Sequence, residues 1–330
     1  MNDLDRLADL VAAAKRAGAD AADALLVQNA SLSVSRRLGR IEQLERAEGF
    51  DLGLRVFIGK RQAIVSATDP DPKGFATLAE RAVAMAKVVP EDPFGGLPDS
   101  FDPPRDAGPL DLFDPTEPSA EQLIERAAAA EDAALAVKGI TNSEGADAGW
   151  GRVRIALAMS NGFAGSYARS SHSLSCTALA GTGTAMERDY EWSSVVHLSD
   201  LDDPATIGRR AAEKTLARLN PVRAKTARIP VVYDPRVSAS LLGHLTSAIN
   251  GAAVARGTSF LRDAMGTQVL PKGMVVRDDP TRRRGLRSRP FDGEGMAGGA
   301  RALVDDGVLT SWVLDWRSAR QLGLASTGHA

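Results

Sequence analysis

Two runs of strict alternation restrict this chain more than anything else in it. Leu52, Leu54, Val56 and Ile58 alternate with Gly53, Arg55 and Phe57, and Val153, Ile155, Leu157 and Met159 alternate with Arg152, Arg154, Ala156 and Ala158. Residues two apart in a strand share a face, so each run describes a strand with one covered side, the pattern of antiparallel sheet. The punctuation agrees. Gly59-Lys60 leads into a strand at Ala63 to Ser66, and Ser160-Asn161-Gly162 is a hairpin signal toward return strands through Ser173 to Thr177 and Trp192 to Val196. Leu32 and Val34, alternating with Ser31, Ser33 and Ser35, add another strand to the first meander.

The covering elements are helices. Leu4, Leu7, Leu10, Val11 and Ala14 recur at helical spacing and Gly18 ends that run. A second helix is predicted from about Gly74 to Val88, with Leu78, Ala82, Met85 and Val89 as its inner stripe. Ser119 with Gln122 is a capping box opening an alanine-rich helix to about Val137. Asp203-Pro204 starts another, with Ile207, Ala211, Thr215, Leu216 and Leu219 inward, and Asn220-Pro221 stops it. Between them, residues 90 to 118 are rich in Pro, Gly and Asp and read as a long connection, pinned by Phe94, Phe101 and Phe113.

Composition closes off several classes. A formal net charge of -2 gives no bulk electrostatic drive toward nucleic acid or membrane. Cys176 is the only cysteine, so no intrachain disulfide framework exists and a reducing compartment, the cytoplasm, is expected. The acidic start Met1-Asn2-Asp3-Leu4-Asp5 does not have the form of a signal or transit peptide. No apolar run approaches the roughly 20 residues of a membrane span.

The stretch from Ile229 to Phe260 carries the most function-like pattern. Ile229-Pro230-Val231-Val232-Tyr233 predicts a short strand, and Asp234-Pro235 then opens one long helix to about Arg256. Val237, Leu241, Leu245, Ala248, Ile249 and Ala252 give that helix an apolar face, and Ser240, His244 and Ser247 fall on the other side. Gly257-Thr258-Ser259 follows as a small-residue turn where backbone can approach a ligand closely.

The wording from Gly243-His244-Leu245 through Asn250-Gly251 to Gly257-Thr258-Ser259-Phe260-Leu261 resembles the TldD/TldE peptidase family, on its TldE (PmbA) branch, once called a modulator of DNA gyrase. Ile140 to Gly145, Ser171 to Ser175, Met186 to Tyr190, Phe291 to Gly295, Asp306 to Leu309 and Ser326 to Ala330 are similar to family wording as well. The resemblance implies a two-subunit peptidase. Its TldD-type subunit carries H-E-x-x-x-H on this helix, two zinc ligands and a general base. With the Gly-Thr-Ser turn in register, the ligand positions fall here on Leu242 and Ser247 and the base on Gly243, while His244 matches none of them. The resemblance therefore implies no metal and no catalytic residue in this chain, with zinc in a TldD-type partner. It also implies a further β-rich segment after the final phrase, holding a late cysteine ligand in TldD-type subunits, so the chain is expected to be cut short at its C-terminus.

Other chemistries fare worse on the residues. His172, His197, His244 and His329 never fall at paired-ligand spacing on one element. Ser240 or Ser247 beside His244 lacks both a G-x-S-x-G elbow and an oxyanion hole, and a histidine bonded to one of those serines is the simpler expectation. Gly293 to Gly298 fits G-x-G-x-x-G literally, but Ala302-Leu303-Val304 after it reads as strand, so the glycines are a turn. Arg282, Arg283, Arg284, Arg287 and Arg289 form one basic cluster after Asp278-Asp279. Without interleaved aromatics it reads as a loop neutralised by its own aspartates, against contact with nucleic acid or with an acidic partner surface. Trp312 and Trp316 suit an interface or a core equally.

The sequence therefore predicts an α+β fold: N-terminal helices on mostly antiparallel sheet over residues 1 to 221, then a β-rich domain over 222 to 330. By resemblance it is the TldE/PmbA-like, non-catalytic subunit of a metallopeptidase complex that cleaves unfolded or leader-like peptides at a TldD-type zinc subunit, contacting substrate or partner through His244, Ser247, Gly257, Thr258 and Ser259. The alternative is a regulatory protein contacting DNA gyrase or nucleic acid through the 282–289 arginines. Self-association in the partner's absence stays open.

Overall fold

The computed structural model describes residues 2–101 and 108–330. In chain order the first elements are α1 (Asp3–Arg16), β1 (Ala21–Arg37), β2 (Arg40–Ile58), β3 (Arg61–Ala67), α2 (Phe75–Val88), α3 (Ala120–Leu135), β4 (Ile140–Met159), β5 (Ala164–Ala180), β6 (Glu187–Val195) and α4 (Pro204–Ala217). The strands form one antiparallel sheet in the order β3-β2-β1-β4-β5-β6. β1 lies at its centre, paired with β2 on one side and β4 on the other.

Alternation puts Ala22, Ala24, Leu26, Ala30, Leu32 and Val34 of β1 on one face, and all are buried. Two helix pairs share that face. α1 and α2 cover the half around Ala24, Leu54 and Val65, while α3 and α4 cover the half around Leu32, Trp150 and Leu174. Fully burying a leucine such as Leu26 or Leu54 contributes about 1.5–3 kcal/mol. α3 and α4 approach so closely that a Cβ on Gly208 would lie 1.9 Å from the Ala130 carbonyl oxygen, which explains the small residues there. The capping box at Ser119 and Gln122 and the Asp203 cap are both formed.

Three sequence expectations need correction. The inner stripe of α2 is Phe75, Ala79, Ala82, Val83 and Ala86, and Met85 is exposed, because the helix meets the sheet one position around from the predicted face. Residues 229–233 form no strand: no neighbouring strand supplies hydrogen bonds, and Val231 and Val232 stand in solvent. The predicted long helix is two, α5 (Pro235–Ala248) and α6 (Gly251–Ala255). Asn250 turns extended between them and caps α6, while Val313 takes the backbone of Ile249 and Gly251 through bonds of 3.0 and 2.7 Å.

The C-terminal region adds a second antiparallel sheet, β7 (Val276–Asp278), β8 (Arg301–Asp305) and β9 (Val308–Leu309), and a last helix α7 (Trp316–Leu322). Its core gathers Ile249, Val254, Leu303, Val304, Leu309, Trp312 and Leu314, so Trp312 is a core residue. Phe291 joins the two parts. It packs edge-on to Phe163 and Tyr167, and Phe163 edge-on to Phe101, with ring centroids 5.1–5.5 Å apart. Part of the long connection, residues 102–107, lies outside the described residues.

Candidate functional site

α5 starts as the sequence predicts: Pro235 occupies the first turn and the Asp234 carboxylate accepts the Arg236 N–H. Its burial does not follow the predicted face. Only Ala248 is buried, while Val237, Leu241 and Leu242 are about half exposed, because the core of the C-terminal region reaches only the end of the helix at Leu245 to Ile249. The helix is held to the sheet at its start, where Arg236 Nη1 meets Asp189 Oδ1 at 2.8 Å and the guanidinium stacks over the Tyr190 ring.

His244 and Ser247 are both exposed, one turn apart on α5. The expected bond from Ser240 to His244 is absent, because the Ser240 hydroxyl donates to the Val237 carbonyl at 2.6 Å. A Cβ on Gly243 would meet nothing, so the helix surface beside His244 is open. The small-residue turn folds back on this helix end. Gly257 takes φ +71°, Thr258 Oγ1 donates to the Ala253 carbonyl, and the buried Ser259 hydroxyl donates to the Ala248 carbonyl at 2.5 Å while accepting the Leu261 N–H. His244, Ser247 and the Gly257–Ser259 turn therefore lie at one end of α5. The hydroxyls of Thr258 and Ser259 are spent on the turn itself.

Leu242 offers no donor, Gly243 no base, and Ser247 a poor ligand. Among the described residues no three His, Cys, Asp or Glu side chains converge. The other histidines each face one carboxylate: His172 with Asp114 at 3.4 Å, His197 with Asp111 at 3.0 Å and His329 with Asp278 at 3.0 Å.

The arginine cluster is neutralised only in part, and its close ion pairs are not with the aspartates beside it in sequence. Arg283 and Arg284 bind Asp111, and Arg284 also binds Asp200, at 2.6–2.9 Å. Arg289 donates to the carbonyls of Gly328 and Ala330. Asp278 is taken by His329 and Asp279 by the Thr281 N–H and hydroxyl. Partners over 80 residues away in the chain carry no local signal, which is why sequence spacing picked the wrong ones.

Two concave regions also lacked a sequence signal. A groove of about 940 Å³ crosses the helix-bearing face of the sheet between the helix pairs, lined by Gln28, Glu48, Phe50, Phe113, Arg152 and Arg154. A cleft of about 650 Å³ lies between the end of β6 and the arginine loop. Both are assembled from segments distant in sequence.

Comparison with known proteins places this arrangement. The sheet with paired helices, and the helix with a Gly-Thr-Ser exit, are those of a metallopeptidase-type scaffold. Residues 22–86, 113–219 and 226–330 match the PmbA/TldA metallopeptidase domain 1, central domain and C-terminal domain. The chain is 38% identical over 312 residues to metalloprotease PmbA of Escherichia coli, covering 94% of this chain and 69% of that protein. It is 34% identical to the PmbA homolog of Haemophilus influenzae, over 96% and 70%. A Bacteroides thetaiotaomicron crystal structure described as a candidate modulator of DNA gyrase superposes with a TM-score of 0.91 at 26% identity, over 99% of this chain and 75% of that one. TldE from Thermococcus kodakarensis shares the fold, with a TM-score of 0.83 at 20% identity over 98% and 73%. The chain belongs to the PmbA/TldD metallopeptidase family. Among the described residues no helix is long and apolar enough to cross a membrane.

Proposed function

We propose that this chain is the non-catalytic, PmbA-like subunit of a two-subunit metallopeptidase that cleaves unfolded or leader-like peptides. The observation that carries the proposal is the end of α5. There His244 and Ser247 stand exposed beside an open Gly243, at the helix whose TldD-type counterpart holds the zinc motif, while Leu242, Gly243 and Ser247 replace the ligands and base. In this role the chain shapes the substrate cavity and contacts peptide or partner through the side chains of His244 and Ser247 and the backbone of the turn Gly257, Thr258 and Ser259. The zinc and its bound water belong to the TldD-type subunit. Without that subunit the exposed apolar residues of α5 favour self-association. We place the complex in the cytoplasm, which suits a single buried thiol, Cys176.

The test is hydrolysis of fluorescein-labelled casein by this chain, by a TldD-type subunit, and by their mixture, each with and without a chelator. Cleavage by the mixture alone, abolished by chelator, is the expected result. Cleavage by this chain alone overturns the proposal.

A further inference from the structure

The cleft beside the arginine loop combines two features that sequence keeps apart, a free strand edge and unspent cations. β6 is an edge strand, and its backbone orientation is readable from its partners. The Thr215 hydroxyl bridges Asp189 and the Ala178 carbonyl, so Asp189 faces β5. Tyr190 faces out: its carbonyl accepts Arg236, and its N–H is taken by the Asp189 carboxylate, as the Trp192 N–H is by Glu191. The register from Glu187 to Val195 is unbroken, so Ser194 also turns its N–H and C=O outward. No side chain among the described residues takes them. Along most of its length this edge is blocked by its own carboxylates, and at Ser194 it opens into the cleft.

The opposite wall is a rigid cationic loop. Arg284 holds φ +54° and Asp111 φ +51°, a conformation L residues adopt at a cost. They hold each other there, with Arg284 Nε 2.6 Å from Asp111 Oδ2 and the Arg284 N–H on the Leu110 carbonyl at 2.8 Å. This anchoring leaves Arg282 and Arg287 exposed on the cleft wall, and among the described residues neither guanidinium makes a hydrogen bond or a close ion pair, Asp279 acting on Arg282 only at longer range.

We propose that this cleft binds an extended peptide carrying a carboxylate, an acidic side chain or a C-terminus, with the peptide backbone on Ser194 and the carboxylate on Arg282 and Arg287. Strand addition supplies main-chain bonds and a guanidinium fork matches a planar carboxylate. A peptide fits better than a nucleic acid because the wall opposite the arginines is a strand edge, Ser194 to Val196, and the cleft lining holds no Phe, Tyr or Trp for base stacking, its one ring being His329, which is bonded to Asp278. The proposal rests on the chain handling peptides and adds which peptides it prefers.

The experiment is fluorescence anisotropy on the chain alone. The probe is a fluorescein-labelled peptide of alternating valine and threonine ending in two aspartates, and its twin ends in two asparagines and an amide. The acidic peptide is expected to bind at least about tenfold more tightly than its twin, and to weaken as salt rises. Arg282→Ser with Arg287→Ser should erase the difference at unchanged Tm, since neither guanidinium is bonded within the fold and the Arg282 carbonyl that accepts the Gly285 N–H is kept. Ser194→Pro, which removes one outward donor, should weaken both peptides. Equal binding of the two peptides, no binding of either, or an unchanged preference in the double variant overturns the proposal. So does a single-stranded oligonucleotide of equal charge binding more tightly than the acidic peptide. If casein is still cleaved only by the two-subunit mixture, such a result removes the cleft and leaves the subunit role standing.

Discussion

Arg236 Nη1 lies 2.8 Å from Asp189 Oδ1, and this contact ties the start of α5 to the edge strand of the large sheet. Burial alone would raise the Asp189 carboxyl, but the bonds from Arg236 and the Tyr190 N–H hold its pKa below the usual range. The same guanidinium reaches the Tyr190 carbonyl at 3.0 Å. Arg236→Ala is therefore expected to cost roughly 1–3 kcal/mol and to release α5. Limited proteolysis between residues 221 and 234 should quicken in the variant. An unchanged cleavage rate would show that other contacts hold the helix.

The exposure of His244 and Ser247 separates function from stability. Neither side chain supports the fold, so His244→Ala and Ser247→Ala should each change stability by less than about 0.5 kcal/mol. If they contact peptide, the double variant lowers kcat/KM of the two-subunit mixture by about tenfold or more, equivalent to about 1.4 kcal/mol. Full activity in the double variant would remove both residues from the site. Thr258 and Ser259 give no such separation, since their hydroxyls close the turn.

Legibility followed locality. Period-two runs such as 52–58 and 152–159 were readable from their own side chains, and the Ser119 capping box and the Asp203 cap because their partners lie within a few residues; which face of 152–159 the helices cover was not, since Ala156 and Ala158 pack under them and Leu157 and Met159 on the far side. The outer half of the first hairpin was not. Residues 40–48 are exposed on both faces, so β2 carries no burial alternation there and is a strand only because β1 pairs with it. The break at Asn250 depends on Val313, and the fate of the arginines on Asp111 and Asp200. The candidate residues on α5 came from wording and position. Their exposure came from where the C-terminal core ends, which no spacing encodes.

Glu294 is buried beside the start of α7 and accepts the Trp316 backbone N–H at 2.7 Å. Burial, with Asp292 and Asp315 nearby, pushes its pKa up to about 7. A carboxyl whose folded pKa exceeds its unfolded value contributes stability that is full below about pH 4.5 and is lost as pH rises through about 7. Glu294→Gln keeps an acceptor for Trp316 and removes the charge. It should stabilise the chain by about 1–3 kcal/mol at about pH 8 and have little effect at about pH 5. Urea denaturation at both pH values checks this, and equal effects at the two would refute it.

His172 sets the opposite slope. It is fully buried, neither ring nitrogen is hydrogen-bonded, and Nε2 stands 3.4 Å from Asp114 Oδ2. Burial lowers its pKa, helped by Arg126 and His197, and outweighs the attraction of Asp114. A base with a depressed pKa is neutral in the fold while the unfolded chain takes up a proton, so its contribution is present above about pH 6.5 and is lost as pH falls below it. Asp114 adds to the loss further down: the Leu198 and Thr116 N–H groups overcome its burial and hold its pKa at about 2, so its contribution fades as pH falls from about 4 toward that value. His172→Phe fills the same slot without ionising, leaving the backbone partners of Asp114 in place. Stability between about pH 6.5 and about pH 5 should then flatten, while the steeper fall below about pH 4 persists. If the variant keeps the parent slope between about pH 6.5 and about pH 5, a different group titrates there and the buried imidazole is not the acid-sensitive element.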